Sequence, residues 1–160
     1  MRRIVVFLAL LTALAAPAAL VAAKATDGTL SVKRGRGSVV LKLKGTVIGR
    51  AKQGRVRIVD LRAFDNNVPH VTGCKVRHPA LNVTTCAGRN IAFRVDERRY
   101  NISVQGSGIW ISAVGRGFVT IDGAGETGRA DGVMSIDNAP YESLPDFPTT
   151  FYLGAPQPVR

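Results

Sequence analysis

Two histidines and two cysteines in 160 residues leave little from which to build metal, redox or nucleophilic chemistry. Both histidines, His70 and His78, sit beside Cys74 in one segment, so none stands elsewhere to serve a hydrolase triad. The patterns G-x-S-x-G, H-E-x-x-H and S-x-x-K are missing as well. Carboxylates number only 11 against 22 lysines and arginines. No spacing argument makes Asp96 and Glu97, or Asp122 and Glu126, a glycosidase pair. A hydrolase of unrecognised type survives only as an alternative. Helical periodicity is also lacking: no segment keeps apolar residues at i, i+3, i+4 and i+7 over three turns, which argues against alternating strand and helix units.

The one long apolar run stands at the start. In MRRIVVFLALLTALAAPAALVAAKA, Arg2 and Arg3 precede an apolar stretch from Ile4 to Leu14, and small residues follow Pro17. That three-part order predicts a secretory signal peptide over residues 1–23, cleaved after Ala23 or after Ala25. A retained anchor is the alternative, but a span needs about 18 apolar residues and Pro17 interrupts this one. The expectation is a secreted, periplasmic or wall-associated protein without a transmembrane anchor after processing.

The remaining 137 residues suit one domain. Their basic charge is uneven: residues 24–99 carry 17 basic and 5 acidic side chains, residues 100–160 only 3 and 6. A chain of this kind would attract acidic envelope polymers, anionic headgroups or nucleic acid; a solvated surface that aids solubility is the plain alternative.

What the chain does have is period-two alternation. LSV (30–32), SVVLKLK (38–44), RVRIV (55–59), NIAFRV (90–95), YNISV (100–104), IWIS (109–112) and FVTI (118–121) are strand-like, with glycines between them. The pattern predicts an all-β fold over residues 24–138, a single antiparallel sandwich or small barrel, with a short β-solenoid as the alternative. Its expected core is Val39, Leu41, Leu43, Val56, Ile58, Ile91, Phe93, Val95, Ile102, Val104, Ile109, Ile111, Val119 and Ile121. Lys42, Lys44, Arg55 and Arg57 fall on the outward side of their strands. Together with Arg34 and Arg36 they form the candidate polyanion-binding set, although cations on edge strands also block sheet-to-sheet aggregation. LSVKRGRGSVVL (30–41) and ISVQGSGIWIS (102–112) share a strand, a G-x-G turn and a second strand, as duplicated halves or any two hairpins would.

Residues 139–160 differ in composition, with five prolines and four aromatics, Tyr141, Phe147, Phe151 and Tyr152. They read as an extended strap packed along the domain, with 149–153 as a last strand; an aromatic platform for sugar or peptide is the functional alternative.

Gly123, Gly125 and Gly128 satisfy G-x-G-x-x-G, but RADGVMSIDNAP after them holds no helix whose amides could meet a pyrophosphate. No nucleotide cofactor, and no other, is expected. Asp122, Glu126 and Asp131 are weak candidates for calcium because they lie in glycine-containing turns. Cys74 and Cys86 are expected to form a disulfide. The rival is a zinc site of His70, Cys74, His78 and Cys86, whose donors suit the metal but whose spacing matches no finger. Asn82 and Asn101 open N-x-S/T patterns that matter only in a glycosylating host.

The run RRYNISVQGSGIWISAVGRGFVTIDGAG, with SLPDFPTTFYL behind it, resembles short exported all-β proteins of bacteria. The resemblance implies export and fold, and transfers no functional residue. The function expected is a non-catalytic secreted or envelope β-domain that binds acidic polymers through a basic face. A self-associating structural protein is the alternative.

Overall fold

The structure is a computed structural model that describes residues 26–62, 69–126 and 130–154, without the side chain of Pro79. The expected signal peptide therefore lies outside the described residues. The described chain is all strand: β1 (Gly28–Asp60), β2 (His70–Cys74), β3 (Arg77–Ala80), β4 (Val83–Gly123), β5 (Val133–Ile136), β6 (Glu142–Ser143) and β7 (Thr149–Leu153). All seven belong to one antiparallel sheet that runs β2–β4–β1–β5–β6, with β3 and β7 also paired to β4.

The two long strands determine the architecture. Most residues in the middle of β1 have two partners in β4, one on either side: Leu41 lies between Ile102 and Val119, and Val47 between Val95 and Ala113. The partners are seventeen or eighteen residues apart, so β1 and β4 form a long hairpin ribbon that coils back on itself. This is the wrapped-hairpin connectivity of a jelly roll. Pairing sorts the ribbon into two layers. The first runs β5, 28–33, 109–115, 45–51, 91–95, β2; the second runs β7, 117–123, 37–44, 100–106, 53–60, 83–88, β3. Both long strands pass from layer to layer as continuous strands, with local gaps in pairing at the corners.

Between the layers lies one core. Leu30, Val32, Val47, Ile91, Phe93, Ile109 and Ile111 of the first layer meet Val39, Leu41, Val56, Ile58, Ile102, Val104, Val119 and Ile121 of the second, all buried. All fourteen residues expected in the core are buried. At several corners the inward positions switch between odd and even numbers, and a residue of positive φ stands there: Arg34 (55°), Asn90 (54°) and Glu97 (50°) among them. Each acts as a bulge that inserts one residue and re-aims the side chains. The look-alike segments 30–41 and 102–112 are partners in the ribbon, paired through Val32 with Ile111 and Leu41 with Ile102. Their likeness follows from turning one corner together.

The disulfide between Cys74 and Cys86, with Cα atoms 5.8 Å apart, ties β2 at the edge of the first layer to 83–88 in the second. β7 pairs with 117–121 at the opposite edge of the second layer and buries Leu153. Among the described residues no helix is long and apolar enough to cross a membrane.

Candidate basic surface

The outer face of the second layer is built by period-two geometry. Val39, Leu41 and Leu43 point into the core, so Lys42 and Lys44 point out; Val56 and Ile58 do the same for Arg55 and Arg57. The register then decides their neighbours. Lys44 pairs with Arg99, Lys42 with Asn101 and Phe118, Arg57 with Ser103 and Thr85, and Arg55 with Gln105 and Ala87. β3 adds Arg77, the partner of Thr85.

Two recesses open on this face. One, of about 450 Å³, is lined by Arg55, Arg57, Lys75, Arg77, Thr85, Cys86 and Ala87. The other, of about 570 Å³, is lined by Lys42, Lys44, Leu61, Arg99, Asn101, Arg116 and Phe118 among others. Among the described residues no carboxylate lines either one. Just beyond the second, Lys44 and Arg116 border a recess that also holds Asp27 and Glu97, and the Arg116 Nε donates to Asp27 Oδ1 at 2.8 Å. Lys42, Lys44 and Arg99 are thus the cations that give the second recess its charge. Lys42 Nζ lies 5.5 Å from the centre of the Phe118 ring, within cation–π reach. Arg77 and Arg99 join the surface through register, and Lys75 from the link between β2 and β3. They stand in stretches without clear alternation, so only their raw charge hinted at them.

Two of the six expected cations belong elsewhere. Arg36 is turned toward the loop after β4: its Nη1 donates to Glu126 Oε2 at 2.7 Å, and its Nη2 and Nε donate to Asp131 Oδ1 at 2.8 and 3.0 Å. Its charge is met by these two carboxylates, and it lines neither basic recess. Arg34 turns the corner between layers and lines neither basic recess.

The same contacts engage the candidate calcium ligands. Burial opposes ionisation of Asp131, but the Arg36 guanidinium and the Gly125 N–H, at 2.7 Å from Oδ2, outweigh it and hold the carboxyl below its ordinary value. Asp131 and Glu126 are oriented by Arg36, and Asp122 pairs across the sheet with Ser38. The zinc reading fails because both thiols are in the disulfide, while His78 Nδ1 lies 3.2 Å from the Thr84 hydroxyl and His70 pairs with Arg94 in the sheet. Among the described residues no three histidine, cysteine or acidic side chains gather as a metal site. Gly123 and Gly125 open no helix, since the next element is the strand β5. No family model, curated protein or solved structure matches this chain.

Proposed function

We propose that this protein is a non-catalytic exported β-domain that holds acidic envelope polymers against the outer face of its second layer. The observation that carries this reading is the pair of recesses where Lys42, Lys44, Arg55, Arg57, Lys75, Arg77 and Arg99 converge with no carboxylate among the described lining residues. Keeping so many like charges together opposes folding, and solubility alone would be served by cations interspersed with acids. From Lys44 beside Arg99 to Arg55 beside Gln105 the track runs seven residues along β4, about 20 Å at the strand rise. Export rests on the pattern of residues 1–23, and the disulfide suits an oxidising compartment.

The test is retention of the processed chain on purified wall or envelope polymer. Retention should fall by about tenfold or more between about 50 and about 500 mM salt, and a Lys42/Lys44/Arg55/Arg57→Ala variant should lose most of it at low salt. Retention indifferent to both would refute electrostatic binding. A second reading, self-association, is favoured by Ile48, Trp110 and Val114, 48, 40 and 48% exposed on the outer face of the first layer. Concentration-dependent sedimentation that ignores salt would select it.

A further inference from the structure

The second recess differs from the first in having aromatic rings at its border. Phe118 and Tyr152 are cross-strand partners between β4 and β7, with ring centres 6.4 Å apart and planes tilted by 57°. Lys42 reaches over Phe118, while Tyr152 stays 68% exposed. An exposed ring beside convergent cations offers a flat apolar surface on which the ring of an anionic ligand can stack while its charges meet the cations. Beside the cations, the strand 100–106 presents Asn101, Ser103 and Gln105 on the same face. These are hydrogen-bonding groups suited to hydroxyls.

We infer that the ligand of this face is an acidic polysaccharide, with one sugar ring stacked on the exposed Tyr152 beside Phe118 and its carboxylates held by Lys42, Lys44 and Arg99. The inference rests on the polyanion reading and names its substrate class. Three features select a sugar polymer over other polyanions. A phosphate chain has no ring to use the aromatic pair. A single-stranded nucleic acid stacks successive bases on successive aromatics, whereas here one pair stands at one end and amides and hydroxyls fill the track. The disulfide between Cys74 and Cys86 suits compartments outside the cytoplasm, where acidic glycans are found.

Binding is measured by titration calorimetry at fixed ionic strength, with three probes of equal charge: a uronate oligomer, linear polyphosphate and oligo-deoxythymidylate. The uronate oligomer should bind about tenfold more tightly than polyphosphate, and Phe118→Ala with Tyr152→Ala should remove about that factor while leaving polyphosphate unchanged. Tyr152→Ala alone, at an exposed position, gives the same direction should the double variant not fold. Equal affinity for uronate and polyphosphate, or aromatic variants without effect, would overturn the sugar inference and leave the polyanion reading standing. Tighter binding of the oligonucleotide, lost in the aromatic variants, would overturn it in favour of nucleic acid. No binding of any probe at low salt would end both.

Discussion

At the residue scale, the contact that most changes the meaning of the sequence is Arg36 with Asp131. On sequence alone Arg36 is one more cation in a basic half, because its partners are 90 and 95 residues away and no pattern joins them. In the fold it closes the loop after β4. Asp131 is almost fully buried, accepts from Arg36 and from Gly125 N–H, and its folded carboxyl titrates below the ordinary 3.8. A lowered folded value means that the unfolded chain binds the proton more readily, so this contribution is complete above the ordinary carboxylate range. It is lost as pH falls through the lowered folded value. Asp131→Asn should therefore lower the thermal midpoint at pH 7 and leave the two proteins converging as pH falls below the ordinary carboxylate value and through the lowered folded one. Melting curves across that range, with an unchanged gap at low pH, would show that Asp131 acts through something other than its charge.

At the element scale, the corners separate what could be read from what could not. Val39, Leu41 and Leu43, or Ile102 and Val104, alternate cleanly because each run stays in one layer, and their burial follows from period two. The segment 45–51 is illegible for a packing reason: its inward positions are Val47, Gly49 and Ala51, kept small because the Phe93 ring lies against Gly49. Glycine punctuation reads as hairpin ends, yet several of these glycines sit where an unbroken strand changes layer. Gly37 shows the requirement. Its φ is 126°, and a Cβ there would run into the Asp122 carbonyl of the neighbouring strand. Gly125 has φ 64°, but a Cβ there meets nothing closer than the Asp146 carbonyl at 3.9 Å. Gly37→Ala should cost about 3 kcal/mol or more, since strain adds to backbone collision, and Gly125→Ala about 1 kcal/mol from the left-handed conformation alone. Urea denaturation of the two variants checks the order; equal costs would mean that the corner has room to open.

At the scale of the whole molecule, alternation and glycine spacing reveal an all-β fold, but they do not reveal the coiled ribbon. Ribbon pairing joins residues as distant as Gly28 and Gly115, and the information for it lies in registers that single strands do not display. The basic surface is likewise half legible: Lys42, Lys44, Arg55 and Arg57 follow from alternation, whereas Arg99, Lys75 and Arg77 join them only in the folded chain, through ribbon register, the link between β2 and β3, and β3 pairing. The same wrapping has a consequence for unfolding. In a sandwich made of separate strands joined by loops, one sheet can loosen before the other. Here both layers share the same two long strands: 37–44 cannot leave the second layer without pulling on 28–33 and 45–51 in the first. Ile102 is hydrogen-bonded between Leu41 and Ile58, which reach the first layer through different corners. The layers should therefore unfold as one unit. Trp110, 40% exposed on the outer face of the first layer, is the sole tryptophan and reports that layer alone, while far-ultraviolet circular dichroism reports both. In urea the two signals should give superimposable transitions with one midpoint, and refolding should be slow, on the order of milliseconds to seconds, because the pairings are non-local. A tryptophan transition displaced from the dichroism transition would mean that the first layer comes apart on its own, and that the ribbon is not the cooperative unit.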